Sequence, residues 1–562
     1  VRTQRQTLAE TKAAYNHPTY AKMAFTMGCG VQGRGEGCHV YDETGRPFLA
    51  LFDQYGNQSF GYSHERLVRA LRDRLDTANL NSTKILFEEV QIRLSERLAQ
   101  LTDGHLRYSY LANGGGESID NALKLARAAT GRPYFVTAAD CFHGKTIATL
   151  SASRRPEHEA VYRPLMSEFR QVPFGDVAAI EAAVDEHTAA VLLEPVQAEG
   201  GVIVPSEEYL REVRRICTER GALLILDEMQ TAFGRCGTFF AHQQFGVLPD
   251  LVCIGKAFGG GLLPISAVLG TAEVWTSLKR TPSTFGSSLG GNPLSCSVGL
   301  AAVELASEPE FLARVNARAE QIRQRLTRLP ARFPELVRAH RGLGMMHGLE
   351  FHDEALGGLV LRLLIRHQVT STYSLYNNSV LRVQPPMVID EAGLDHGLDV
   401  LEQVLAEVEA HQRAGGATGV AAMSPQRLSV RLPFPADAVR ELLGRRPRLL
   451  DPFSLHPEQE DCPPVEPEFA GTLGEDLVVW EDRYEAGPDG PSLSAGDCWM
   501  WTSLRRDFTV VPLGEAGCRV DIAVEWDAGT GGYEALLAGG ISWFITTRAE
   551  QLAGEIDKYL AE

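Results

Sequence analysis

The sequence predicts an α/β fold: a mostly parallel central sheet with helices on both faces, a smaller α+β domain, and an appended C-terminal α+β domain. Three observations predict it. Between about residues 105 and 270, short β-rich runs alternate with longer helical patterns. Two of those runs, Ala189–Pro195 and Ala222–Asp227, are continuously apolar, as strands covered on both faces are. The 562 residues exceed one ordinary domain, and the style of the sequence changes after Arg413.

The elements follow in order. Leu106–Ala112 reads as a strand, Ser118–Thr130 as a helix and Tyr134–Thr137 as a strand; Ala189–Glu194, Glu207–Arg220 and Ala222–Leu226 repeat the strand–helix–strand pattern. Polar residues punctuate the carboxyl ends of these strands, where ligands gather in such sheets. From Pro309 to Ala410 helices mix with short strands and close on the helical run Glu391–His411. The glycine-rich stretch after Arg413 reads as a linker. Beyond it lie strand candidates Leu428–Leu432, Leu477–Tyr484, Cys498–Leu504, Phe508–Pro512 and Cys518–Trp526, then a closing helix, Thr546–Leu560. The expected division is 1–50 contributing to the small domain, 51–308 large domain, 309–412 small domain, 413–425 linker and 426–562 C-terminal domain.

Composition narrows the function. Hydrophobic residues make up 44% and charged residues 22%, ordinary for a soluble protein. A net charge of −18 repels nucleic acid and anionic membrane, so small-molecule partners are expected. The ten cysteines include no C-x-x-C pair, which argues against zinc sites and a disulfide scaffold and for reduced thiols in the cytoplasm. No apolar run is long enough to span a membrane, and the N-terminal residues carry no signal pattern.

Four segments carry chemistry. Asp227 ends an apolar strand, where a carboxylate pairs with a protonated ring nitrogen; the same pattern fits an Asp that caps a following helix. Lys256 follows the strand Asp250–Gly255 and precedes Gly259-Gly260-Gly261, framed by Ile254 and Phe258. Burial makes such a lysine a nucleophile toward aldehydes, whereas a lone lysine is more often a solvated charge. Asn113-Gly114-Gly115-Gly116 leads from a strand into a helix, a ready anion site that also occurs as a purely structural turn. Phe142-His143-Gly144 offers an aromatic ring to stack on a flat heterocycle or to fill a core.

With these motifs on the page, the chain resembles the class III aminotransferases, fold-type I enzymes dependent on pyridoxal 5′-phosphate (PLP). The likeness runs from about residue 20 to about residue 410. It rests on "LFDQYGNQSFGY", "FHGKT", "LLEPVQAEGGVIVP", "LLILDEMQTAFGRCGTFFAHQQFGVLPDLVCIGKAFGGGLLP", "GGNPLSC", "RGLGMMHGLEF" and "LRVQPP". "YGNQSFGY" and "FHGKT" resemble the putrescine branch most. The resemblance implies that Lys256 forms the Schiff base and shuttles a proton, and that Asp227 holds the pyridinium nitrogen. It implies that Gln230 contacts the 3′-oxygen, that Phe142 stacks on the ring beside His143, and that Gly115 and Gly116 cradle the phosphate. A hydroxyl from a partner subunit would assist, Ser288 or else Thr284, in a homodimer with shared sites. Arg382 would bind a substrate carboxylate and Glu199 would screen it, with Tyr55 on the substrate side.

Three positions depart from the family. Gly114 stands where the phosphate loop has Ser, Ala232 replaces a glycine near the cofactor, and "STFGSSLGGNPLSC" is longer than usual. The C-terminal segment resembles helix-grip cyclase and START-like domains, in which Trp480, Trp499, Trp501, Trp526 and Trp543 would line a cavity or fill a core. The expected function is amino-group transfer between an amine or amino acid and a carbonyl compound, in specialised biosynthesis. Two rival readings stand beside it: another PLP reaction such as γ-replacement or carbon–carbon bond formation, and a non-catalytic binding protein.

Overall fold

The computed structural model describes residues 31–81, 85–280 and 286–413, a few positions before residue 17, and five strands between residues 426 and 527. Three strands open it: β1 (Gln32–Glu36), β2 (His39–Asp42) and β3 (Pro47–Ala50). Seven more build the central sheet: β4 (Tyr108–Ala112), β5 (Tyr134–Ala138), β6 (Phe169–Val172), β7 (Thr188–Leu193), β8 (Leu223–Asp227), β9 (Leu251–Ile254) and β10 (Ser266–Gly270). Their spatial order is β4-β10-β9-β8-β7-β5-β6.

From β9 to β6 every pairing is parallel. β10 alone runs antiparallel, to both β9 and β4. All six residues of β7 and all four of β9 are buried, as the unbroken apolar runs require. The helix Gly115–Thr130 packs Ile119, Leu123 and Leu125 into one cluster with Leu192, Ile225, Leu251 and Val268. Burying each such side chain contributes about 1.5–3 kcal/mol. The helix stops at Gly131, whose φ of +71° lies in the left-handed region glycine enters freely.

A second sheet, order β11-β12-β15-β14, joins β11 (Val337–Leu343), β12 (Met346–Phe351), β14 (Thr372–Ser374) and β15 (Asn377–Val383) in antiparallel pairs. β13 (Val369–Thr370) lies beside β3 in parallel, so the N-terminal strands share a sheet with a strand more than 300 residues later. The helix Glu391–Arg413 covers the run expected there.

Two compact units are distinguished by their internal contacts. One comprises 33–353 with 364–403 and holds every site residue discussed below; the other comprises 1–32, 354–363 and 404–562. In the second lies an antiparallel sheet of order β16-β20-β19-β18-β17, made of β16 (Gln426–Leu432), β17 (Glu466–Thr472), β18 (Leu477–Arg483), β19 (Ser503–Pro512) and β20 (Cys518–Asp527). β17 was not expected; of the candidate Cys498–Leu504, residues 498–502 lie outside the described residues, and its last two residues join Phe508–Pro512 in the single strand β19. Its Arg505-Arg506-Asp507 reads as a break, yet all three pair in register with Glu481, Trp480 and Val479. An antiparallel sheet with one face in water tolerates charge inside a strand. Trp480 and Trp526 fall on β18 and β20; Trp499, Trp501, Trp543 and the helix Thr546–Leu560 lie outside the described residues.

Candidate active site

Five loops leave the carboxyl ends of β4, β5, β7, β8 and β9, and they carry Gly114–Gly116, Phe142–His143, Glu194–Glu199, Asp227–Gln230 and Lys256. Lys256 is the second residue after β9, between the fully buried Ile254 and Phe258. Its backbone turns sharply, with φ +49°, a region that costs a non-glycine residue about 1–2 kcal/mol. Two glycines keep the space beside it. A Cβ on Gly255 would stand 2.6 Å from Met229 Sδ, and one on Gly56 would stand 3.4 Å from Lys256 Cδ. Lys256 is part-exposed, but burial still lowers its pKa below the ordinary lysine value. Glu199, Asp227 and Glu194 oppose that shift, and Arg382 adds to it.

Asp227 is the last residue of β8, and no helix follows it for Asp227 to cap. Its Oδ1 accepts the Met229 N–H at 3.1 Å, and its Oδ2 meets His143 Nδ1 at 2.8 Å. His143 is buried and its Nε2 has no partner. Burial disfavours charge on this imidazole, but the Cys141 sulfur and the Asp227 carboxylate outweigh it and raise its pKa well above the ordinary histidine value. Phe142 is part-buried and meets the ring of Tyr376 at 5.9 Å; the guanidinium of Arg155 lies over that tyrosine, 4.2 Å from its ring centre.

Glu194 is a residue the sequence reading passed over. It follows β7, is 6% exposed, and accepts the N–H of Phe142 at 3.0 Å and of Ala198 at 3.2 Å. Burial pushes its carboxyl up to about 7, helped by Asp227 and opposed by His143. Only its place in "LLEPVQAEGG" hinted at a role.

The glycine loop enters the helix at Gly115, and Gly114 makes no side-chain cap. The first N–H groups of a helix have no partner inside it, which suits them to an anion. Nothing lies within 4 Å of where a Gly114 Cβ would be, while one on Gly116 would press on Thr146 Cγ2 at 2.9 Å. Asn113 braces the loop by donating to Glu117 Oε2 from its N–H at 2.9 Å and to Ser287 Oγ from Nδ2 at 2.8 Å. Ser287 was also missed. Ser288 is exposed and Thr284 lies outside the described residues. Ala232 keeps an ordinary backbone and donates its N–H to Glu228 O at 3.2 Å, so its Cβ is accommodated; the left-handed φ falls next door, on Phe233.

Arg382, in β15, is fully buried and pairs with Glu199 Oε1 at 3.1 Å. Gln230 ties into both, accepting from Arg382 Nη2 at 3.0 Å and donating to Glu199 Oε1 at 2.7 Å. The other oxygen of Glu199 accepts the Leu375 N–H at 2.9 Å. Burial raises the pKa of Glu199, but Arg382 and Lys256 overcome it and hold the carboxyl below its ordinary value. Tyr55, with φ +59°, sets its ring edge-on to Phe52 at 4.8 Å, and Phe52 in turn lies 5.9 Å from the Arg382 guanidinium.

These residues fit PLP. An acid at a strand end suits a ring nitrogen, an uncapped glycine helix start suits a phosphate, and a lysine of lowered pKa stands beside Gly56, which has no side chain to crowd it. Among the described residues no group of His, Cys, Asp and Glu side chains could hold a metal, and no helix is long and apolar enough to cross a membrane.

A family model described as aminotransferase class-III matches residues 20–405. The putrescine aminotransferase of Pectobacterium atrosepticum is 36% identical over 359 residues, 62% of this chain and 76% of that protein. Among solved structures, the ornithine aminotransferase of Toxoplasma gondii superposes with a TM-score of 0.65 at 28% identity, covering 68% of this chain and 91% of that one. A transaminase from the marine bacterium Virgibacillus shares the fold, with a TM-score of 0.64 at 24% identity, 68% of this chain and 94% of the other.

Proposed function

The chain belongs to the class III aminotransferases, PLP-dependent enzymes of amino-group transfer, and from that premise we propose that Lys256, Asp227 and the Arg382–Glu199 pair run transfer from an amine donor to a carboxylate-bearing carbonyl acceptor. The observation that carries this reading is the Arg382–Glu199 pair, buried within electrostatic reach of Lys256. The likeness to a putrescine aminotransferase supports an amine as donor. Specialised biosynthesis is the proposed setting.

PLP supplies an electron sink for negative charge beside the transferred nitrogen. The protein's residues do the rest. Asp227, steadied by His143, keeps a negative charge at the ring nitrogen. The helix start at Gly115 and Gly116 would hold the phosphate through backbone N–H groups, Phe142 would bear on the ring, and Gln230 would hold the 3′-oxygen side. Lys256, its pKa lowered, has a neutral amine within reach as nucleophile and then carries a proton between carbon atoms at the site. Glu199 neutralises Arg382 while a substrate without a carboxylate is bound; an entering carboxylate takes the guanidinium instead.

The protein is proposed to be a cytoplasmic homodimer in which Ser288 completes the partner's phosphate site. Supporting this, Ile85, Leu86 and Phe87 are 89%, 76% and 96% exposed, and Leu289, next to Ser288, is 69% exposed. Such apolar exposure is unusual on a surface that faces water alone. The proposed domain division is that given from the sequence, with the linker at 413–425. The antiparallel sheet β16–β20 supports a helix-grip domain at the C-terminus, proposed to enclose an apolar ligand.

The test is a half-reaction. Holoenzyme given an amine donor alone should release the carbonyl product and retain pyridoxamine phosphate, seen by mass spectrometry, and Lys256→Ala should abolish it. Conversion of an amino acid to a replacement or condensation product with no pyridoxamine phosphate would overturn transamination. Absence of any visible cofactor band, in wild type and Lys256→Ala alike, would overturn catalysis altogether.

A further inference from the structure

Arg382 is linked to two carboxylates, one directly and one through an amide. The first is Glu199, at 3.1 Å. The second is Asp53, fully buried and already paired with the fully buried Arg235 at 2.6 Å. Gln384, itself fully buried, stands between the two ion pairs. Its Oε1 accepts from Arg382 Nη2, and its Nε2 donates to Asp53 Oδ1 at 2.9 Å. An arginine only donates and a carboxylate only accepts, so the amide has one orientation that satisfies both. Its backbone N–H is pinned to Leu51 O at 2.8 Å, which fixes the side chain beside Asp53.

We propose that Gln384 is a positioning residue for substrate carboxylates: it tethers Arg382 to the Asp53–Arg235 pair, so that the guanidinium stays in place when a carboxylate displaces Glu199. This rests on the reading of Arg382 as the carboxylate site. Glu199 and the Ala198 carbonyl, at 3.4 Å, take hydrogens from Nη1, while Gln230 and Gln384 hold Nη2. Departure of Glu199 therefore frees Nη1 from its carboxylate and Gln230 from its acceptor, and leaves Gln384 as the Nη2 partner that does not itself lean on Glu199. Without the Gln384 amide, nothing links the guanidinium to the Asp53–Arg235 pair, and Asp53 loses one of its hydrogen-bond donors. Asp53 is tied further by Ser59 Oγ at 2.7 Å and the Gly56 N–H at 2.9 Å, so the tether ends on a fixed point.

The experiment titrates full-length holoenzyme with glutarate, an unreactive dicarboxylate, by calorimetry, with the cofactor's visible absorbance recorded as a control. Gln384→Met, of similar volume but without the amide, should weaken glutarate binding about 10-fold, as expected for a lost hydrogen bond to a charged group. The absorbance should be unchanged. Gln384→Glu adds a readout that a packing role would not move. Protonated, the new carboxyl mimics the amide; ionised, it neutralises Arg382 and repels Asp53. Its Kd should approach wild type at about pH 6 and weaken about 10-fold or more by about pH 8.5.

Arg382→Lys separates the two readings. If it weakens glutarate binding while both Gln384 variants match wild type across pH, the tether is wrong and the carboxylate site stands. If Arg382→Lys leaves the affinity unchanged, the carboxylate site falls and the tether falls with it.

Discussion

Glu194 Oε1 accepts the backbone N–H of Phe142 at 3.0 Å, although the two residues stand 52 apart in the chain. With its second oxygen on Ala198 N, one side chain spans the loop that carries Phe142 and the loop that leads to Glu199.

The pH response of stability follows from that carboxyl. Its folded pKa of about 7 lies above the ordinary value of 4.5, so its contribution is fully present below about 4.5 and is lost as pH rises through 7. The raised pKa of His143 acts with the same sign, its contribution being lost as pH rises through its own folded value. The stability of the wild type should therefore fall between about pH 4.5 and pH 7, by up to about 3 kcal/mol for Glu194 alone, and its melting temperature with it. Glu194→Gln should flatten that slope, as thermal unfolding at a series of pH values would read. A slope unchanged in the variant would rule out Glu194 as its source.

Asp227→Asn should lower kcat by about 10²-fold or more, because it removes the negative charge from the end of β8. It should also return the pKa of His143 toward the ordinary range, since one of the groups that raise it is gone. NMR titration of the histidine reads that shift separately from turnover. Retained kcat would contradict the role given to Asp227.

Glu199→Gln acts in opposite directions on acceptor binding and on stability. The KM of a carboxylate-bearing acceptor should fall several-fold, since nothing charged competes for Arg382. Leaving a buried guanidinium without its counter-ion costs about 3–5 kcal/mol when nothing replaces it, so the variant should also melt earlier. Steady-state kinetics with acceptor varied gives the first, calorimetric melting the second. An acceptor KM that rises would contradict the screening role.

Phe87→Glu places a charge in the apolar stretch Ile85–Phe87. If that stretch faces a second copy, light scattering should show the wild type as a dimer and the variant shifted toward monomer. The cofactor Kd should weaken at the same time, because Ser288 would no longer reach the partner's site. A wild-type monomer with full cofactor affinity would sink the shared-site arrangement.

The residues that could be read from the sequence share a property: each ends a short local pattern. Asp227 closes an apolar strand, Lys256 follows one, and Gly114–Gly116 opens a helix, so neighbouring residues announce them. Glu194 and Gln384 sit in quoted motifs too, but their importance comes from Phe142 N and Asp53 Oδ1, which the fold brings in from far along the chain. Ser287 is the same case, meeting Asn113 across 174 positions. The antiparallel direction of β10 was likewise out of reach, because a strand buried on both faces has no periodicity that tells its direction.

The φ of +49° at Lys256 has one more consequence. The residue proposed to carry the chemistry is also one whose backbone the fold strains. A glycine there would relieve the backbone and remove the cost of burying an ammonium, so Lys256→Gly should melt above the wild type in the absence of cofactor. Stability and the proposed chemistry would then be traded against each other at a single position.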